Sequence, residues 1–179
     1  MQTGTKPATI EKPAAGEYNE YYEGYISLVE SDNIFGTLEE QIREMRDLLA
    51  GFPDERGSHS YADGKWTIKE VVSHILDGER IFAYRLLRIS RGDETPLEGF
   101  EQDGYIENSH ANHRTFNDLI CEFSDLRAAN LRLMGSLGEG DWTRMGTASG
   151  FPVSVRALAY IMAGHIRHHL NILRERYLA

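Results

Sequence analysis

Apolar residues recur along this chain at intervals of three and four, with polar residues between them, over four long stretches. That spacing is one face of a 3.6-residue helix. Leu38, Ile42, Met45 and Leu49 predict a first helix over 32–49, stopped by GFPDERG. A second runs over 67–90, with Thr67 as N-cap and Glu70 three positions later as the other half of a capping box. Leu119, Phe123, Leu126, Asn130 and Leu133 mark a third over 116–137, and a fourth covers 152–177 with Pro152 suited to its first turn. Strand signals are nearly absent, and no hairpin dipeptide joins two alternating runs. Four amphipathic helices in 179 residues predict an all-α, four-helix bundle around one core.

Two segments fall outside those helices. Residues 1–30 read as an N-terminal arm leading into a bundle domain over 31–179: Pro7, Pro13 and Gly16 discourage helix, and YNEYYEGYISLV then brings four tyrosines. Tyrosine buries ring area while its hydroxyl stays hydrogen-bonded, so this arm is expected to lie across the domain or a partner subunit. The connection GDETPLEGFEQDGYIENSHANHR exceeds 20 residues. A loop of that length in a compact domain is unusual and often functional. It also lets the third helix start back at the opposite end of the bundle.

Composition narrows the function. With 19 basic and 28 acidic residues the net charge is -9, which repels phosphate backbones, and no basic patch offsets it; nucleic acid is not an expected partner. No apolar run approaches the ~20 residues of a membrane span. The opening MQTGTKPATIEKPAAGEY lacks the apolar stretch of a secretory signal, and Cys121 is the sole cysteine, so a reducing cytoplasm is the expected location. Within LICEFSDL, Cys121 reads as a buried helix residue and not a nucleophile.

The candidate chemistry lies in MAGHIRHHLNIL, three histidines within five positions of an apolar helix. With His165 set at zero, His169 falls at about 40°, Leu158 at about 20° and Ile172 at about -20°, whereas His168 sits at the margin near -60°. Two imidazoles one turn apart therefore share the apolar face. On the second helix His74 and Glu79 border the apolar stripe on its two flanks. Histidines four apart present two nitrogens to one ion, and a third imidazole from a facing helix would complete a three-histidine site. Three neutral nitrogens suit zinc and leave a position open; nickel, iron, manganese and cobalt accept the same ligands. His59, His110 and His113 lie in polar, loop-like stretches, and Trp66 and Trp142 read as packing residues capping the bundle.

GKWTIKEVVSHILDGERIFAYRLLRISRGDETPLEGFEQDGYI, followed by GTASGFPVSVRALAYIMAGHIRHHLNILRERY, resembles the DinB-like superfamily of metal-binding four-helix bundles. The resemblance spans about residues 30 to 178. It implies an up-down-down-up bundle, often dimeric, and maps the family's three metal-ligand histidines onto His74, His165 and His169. It implies a reaction less sharply, since characterised relatives include transferases using low-molecular-weight thiols, a mycothiol-dependent isomerase and metal-dependent hydrolases.

Three functions follow as expectations. A thiol transferase would need only the ion and a thiol such as bacillithiol, mycothiol or glutathione. A hydrolase would use the same open position on water and needs a nearby base, for which Glu79 and His168 are candidates, Glu79 being better read as a partner behind the ligands or in a salt bridge with an arginine. A non-catalytic reading makes the ion structural and the arm a homodimer contact. Asp103 and Tyr105 are candidates to line the mouth of a small-molecule site.

Overall fold

The computed structural model describes residues 9–178. The first eight residues of the expected arm, Pro7 among them, lie outside the described residues. Four long helices form the body: α2 (Ile34–Ala50), α3 (Ile68–Ser90), α5 (Phe116–Gly135) and α6 (Val155–Ile172), the last running on through a π turn over Leu173–Tyr177. Two short ones join them, α1 (Glu23–Ile26) in the arm and α4 (Gln102–Glu107) in the long connection. Among the described residues no helix is long and apolar enough to cross a membrane.

The helix starts follow capping chemistry. Asn33, Thr67, Thr115 and Ser154 each accept a backbone N–H of the first turn on their side chains, satisfying donors that the helix itself leaves unpaired. At Thr67 the capping box is complete, with the Glu70 carboxylate accepting the Thr67 N–H at 2.8 Å. Ser154, not Pro152, opens the last helix. Residues 151–154 instead form β2 (Phe151–Ser154), paired antiparallel with β1 (Met145–Ala148) so that Pro152 faces Thr147. Ser149 and Gly150, both at positive φ (54° and 82°), make the two-residue turn, so a hairpin exists where the sequence reading expects none. Proline is tolerated there because a two-stranded sheet is all edge.

Side-chain contacts fix the helix directions. Gln41 reaches the Ala163 carbonyl and Glu44 pairs with Arg167, so α2 and α6 run parallel. Tyr177 donates to the Trp66 carbonyl while Gly78 lies against His165, so α3 runs against α6. Asn112 bonds Glu70 and Arg80 bonds Glu122, which sets the chain leading through α5 parallel to α3. The order is up-down-down-up. α2 and α3 each pack against both α5 and α6, so α2 stands diagonally across the bundle from α3, and α5 from α6.

This order explains the long connection. α3 has 23 residues and is about 34 Å long, and residues 93–115 carry the chain back along it. The segment is not structureless: it holds α4, a 3₁₀ turn at Ala111–His113, and Leu97, which exchanges backbone hydrogen bonds with Thr147 and Ser149 of the hairpin. At its end the Phe116 N–H donates to Asp54, beside the far end of α2.

A single polar network crosses the bundle's centre. Arg127 on α5 is fully buried and donates two bonds to Glu79 on α3, at 2.9 and 2.8 Å, and two more to the Leu38 carbonyl and the Gln41 side chain on α2. Gln41 in turn donates to the Ala163 carbonyl on α6 at 2.7 Å, and Asn130 donates to Glu79. All four long helices are thereby joined. The buried face of α5 is consequently Leu119, Phe123, Arg127, Leu131 and Met134, one position round from the expected Leu126, Asn130 and Leu133. Cys121 lies across the helix from Leu119 and Phe123 and is exposed, contrary to the expected burial.

The described part of the arm lies on this core. Ile10, Ile26 and Val29 are buried with Leu158 and Ile161, and the Tyr160 hydroxyl donates to the Ile10 carbonyl at 2.7 Å. Glu17 takes Ser154 and Arg156, whose guanidinium holds its carboxyl down at about 2 against the opposing effect of burial. Removing one partner of the central pair strands the other as a buried charge. Arg127→Ala is expected to lose about 3–5 kcal/mol of unfolding free energy in urea titration, whereas exposed Arg43→Ala should lose less than about 0.5.

Candidate metal centre

His74 on α3 and His165 and His169 on α6 meet inside the bundle. All three are buried, and one ring nitrogen from each lies within 4.8 Å of the others. The Nε2 atoms of His74 and His165 are 2.9 Å apart, and ring centroids are separated by 4.6–4.9 Å. The geometry is what the two helical patterns require: residues one turn apart on α6 stack over one position of the antiparallel α3. Helix approach at this level depends on Gly78, since a Cβ there would stand 2.8 Å from Cε1 of His165. Trp66 and Phe82 complete the walls, their rings 4.9 Å from His74 and 5.6 Å from His165.

Burial keeps these rings neutral. Desolvation is the largest cause at each: it lowers His74 to about 4, takes His165 well below the ordinary histidine value, and lowers His169 to about 2. His169 and His74 add to the penalty on His165, His74 to that on His169, and His168 to all three; only Asp103 opposes it, acting on His74. Both ring nitrogens of His169 are buried without a hydrogen-bond partner among the described residues. Leaving polar atoms so costs about 1–3 kcal/mol each, in a protein whose other buried side chains are almost all satisfied. Orphaned, neutral lone pairs converging on one point fit a divalent cation, and three imidazoles are a donor set for zinc and its neighbours with one position left open.

The other sequence candidates separate. Glu79 points away: both its oxygens are engaged by Arg127, so the structure corrects its candidacy as a base and realises the salt-bridge alternative. His168 stays outside the cluster, half-buried between the rings of His169 and Tyr25 and lowered by desolvation. Asp103 is exposed and bears on His74 only through its charge. Tyr105 is 49% exposed and faces a separate groove with Asp77 and Arg80, so the mouth is not built from it. His59, His110 and His113 are exposed, as expected, and Trp66 and Trp142 are packing residues.

The mouth is a cavity of about 550 Å³ that reaches His74 and His165. Its walls come from four places: Tyr21, Tyr22 and Tyr25 of the arm, Phe82 and Arg85 of α3, residues 99–102 at the start of α4, and Ser149 of the hairpin turn. Sequence reasoning saw the tyrosines as a docking surface and missed them as walls, and it missed Arg85 altogether. An isolated glycine one turn after His74 was the available signal for close approach at this face. The arm is seated by Gly164, the residue before His165, where any Cβ would collide with the Tyr25 carbonyl. Tyr25's ring then packs edge-on against His165 at 5.5 Å.

The DinB superfamily model matches residues 37–173. The chain belongs to the DinB superfamily. It is 26% identical over 136 residues to a protein of Geobacillus thermodenitrificans named "Putative metal-dependent hydrolase", covering 72% of this chain and 75% of that one. The fold is shared with YfiT from Bacillus subtilis, described as a probable metal-dependent hydrolase with an unusual four-helix bundle topology, at TM-score 0.73 and 18% identity over 94% of this chain and 92% of YfiT. It is shared also with the mycothiol-dependent maleylpyruvate isomerase, at TM-score 0.63 and 15% identity, over 82% of this chain and 61% of the isomerase. Family membership and the three-histidine cluster together support a divalent-metal protein.

Two expectations arise from this geometry. Gly164→Ala should unseat the arm, raising the rate of proteolysis before Tyr25 and lowering stability by about 1–3 kcal/mol in thermal melts. The second concerns acid. Metal-free protein holds these imidazoles neutral while the unfolded chain protonates them below about 6.5, so U binds more protons and stability must fall as pH drops from about 6.5 towards 4. His74 alone contributes on the order of 3 kcal/mol to that fall. Denaturant titrations of metal-free wild type and His74→Gln over this range should show the shallower pH slope in the variant.

Proposed function

We propose that this chain is a metal-dependent transferase acting on small-molecule thiols, in which His74, His165 and His169 hold one divalent ion, zinc being the first expectation. The observation that carries this reading is the pairing of a three-imidazole cluster, open to a cavity, with the diversion of Glu79 into the Arg127 pair. Glu79 is the one buried carboxylate among the described residues, so no buried protein base stands beside the cluster. When bound, the ion supplies Lewis acidity that brings the pKa of a thiol or water at its open position towards neutrality.

The remaining work falls to the protein. The three rings present neutral nitrogens at all ordinary pH values, because desolvation holds their pKa down. Tyr25, Phe82 and Trp66 exclude water from the ring faces, which strengthens charge interactions in the site. The cavity holds thiol and electrophile side by side. Sulfur then bonds to the electrophilic carbon as the leaving group departs with its electron pair, and the thiol proton passes to the leaving group or to solvent. No protein nucleophile is needed, and Cys121 lies on an outer helix face.

Hydrolysis is a second reading, favoured by Glu101, which lines the cavity and is free to serve as base to a water. The names borne by the Geobacillus relative and YfiT point the same way. The test begins with protein purified without added metal. Wild type is expected to carry about one divalent ion per chain. His169→Ala should weaken metal affinity by more than the roughly 10–100-fold that loss of a group behind a ligand costs. Bacillithiol, mycothiol and glutathione are then assayed with halonitroarene electrophiles, beside thiol-free ester and amide hydrolysis. Thiol-dependent turnover supports the transferase; ester or amide turnover without thiol transfers the case to hydrolysis. Absence of any ion from wild type, even after incubation with zinc, would sink both.

A further inference from the structure

Arg85 is the buried cation that the bundle leaves without a counter-ion. It is only 3% exposed, yet among the described residues no carboxylate lies within ion-pair range of it. Its contacts are two neutral acceptors, the Glu98 carbonyl at 2.8 Å and the Ser149 hydroxyl at 2.9 Å, and both bonds come from Nη2. The donors on Nε and Nη1 have no partner among the described residues. Elsewhere in this protein the buried charges are matched: Arg127 has Glu79, and Lys69 has Asp54. A nearly buried guanidinium without a counter-ion is disfavoured, and such groups stand where a ligand supplies the missing charge.

Its location says which ligand. Arg85 lines the same cavity as His74 and His165. It lies seven residues beyond Gly78, the position that touches His165, and seven residues bring a helix back to nearly the same face about 10 Å further on. Between the two ends the wall is aromatic, with Tyr22 and Phe82 in edge contact at 6.3 Å. Glu101, the one acid in the wall, is exposed at the mouth and makes no ion pair with Arg85. The guanidinium is held from behind: the Ser149 hydroxyl and Glu98 carbonyl fix Nη2, which leaves Nη1 and Nε to make charge-assisted bonds to a carboxylate.

We propose that Arg85 is a specificity-determining residue that binds a carboxylate on an elongated small molecule whose other end lies at the three-histidine cluster. The class is therefore a monoanionic or dianionic carboxylic acid on the order of 10 Å long, with an apolar or thioether-like middle. The inference rests on the thiol-transfer reading only for what sits at the far end. A carboxylate could belong to the thiol or to its electrophile, and both sources share this chemistry.

Matched probe pairs decide it. Glutathione against its diethyl ester examines the thiol, and 5-phenylvalerate against 5-phenylvaleramide examines a thiol-free acid. Each is titrated calorimetrically into zinc-loaded and into chelator-stripped wild type, since a carboxylate that merely ligated the ion would lose its advantage in stripped protein. At least one acid is expected to bind about tenfold or more tightly than its neutral partner in both forms, the scale of a charge-assisted hydrogen bond. In Arg85→Gln that ratio should fall to near one, with zinc affinity unchanged. Arg85→Lys keeps the charge but not the planar group held by Ser149 and Glu98, so it should retain a reduced preference, and it substitutes for the glutamine variant should that fail to fold. A preference for the thiol pair assigns the carboxylate to the thiol; a preference for the phenylvalerate pair assigns it to the electrophile. Equal binding of acids and neutral partners in wild type, or an acid preference that survives intact in both Arg85 variants, overturns the proposal. Failure of wild type to bind zinc would instead overturn the metal reading, leaving the acid preference of stripped protein to stand or fall alone.

Discussion

The bidentate pair between Arg127 and Glu79 is the contact on which the rest of the bundle depends. It sits where the four long helices cross, and its remaining bonds tie in the rest: the Leu38 carbonyl and Gln41 on α2, Asn130 on α5, and through Gln41 the Ala163 carbonyl on α6. A buried ion pair is a weak source of net stability, because two desolvation penalties offset the attraction. Its value here is positional. An apolar core tolerates a slip of one helix against another with modest repacking, but a slip here would leave an arginine, a glutamate and a glutamine buried with unmet bonds.

That register decides the chemistry. Ala163 accepts the network's last hydrogen bond, and Gly164 and His165 follow it directly. Glu79 follows Gly78, which presses on His165. α3 and α6 therefore carry, each directly beside a residue of the network, the glycines that let the imidazoles and the arm approach. Three desolvated rings facing one another are not self-stabilising: His74 and His169 raise the cost of charging His165, and His169 finds no hydrogen bond among the described residues. Local disfavour of this kind persists only where the surroundings over-determine it.

Much of this could be read from residue order, and the boundary of what could is physical. Periodicity located the four long helices and set His165 and His169 on the inner face, since both depend on spacing along one helix. Which face of α5 is inner did not follow, because Arg127 is the most polar residue of its neighbourhood and nothing local says that Glu79 and Gln41 await it. The hairpin was missed for a related reason: FPVS carries a proline that reads as a helix start, and the Ser149–Gly150 turn is too short a signal without its partner strand. The mouth went astray by a few positions. Asp103 and Tyr105 were legible as polar groups in a functional-looking loop, but which residues of that loop face inward depends on the parallel course of α3 and α5, a long-range property. Cys121 shows the converse, an apolar-looking context whose helical phase points it to solvent.

Charge gives the cavity its character. The chain carries a net charge of -9, so an anionic ligand approaching at random meets repulsion before it meets a site. Within the cavity the balance reverses locally. Neutral imidazoles contribute donors without charge, Glu101 is screened by water at the mouth, and Arg85 stands in low dielectric where its field is least attenuated. The arm sharpens the contrast by laying Tyr21, Tyr22 and Tyr25 over the opening, replacing water with ring faces. A surface that discourages anions, around a pocket that holds one buried cation, selects by depth: an acid gains from this site only by carrying its charge far enough in to reach the guanidinium, and a molecule long enough to do so spans the distance to the histidines.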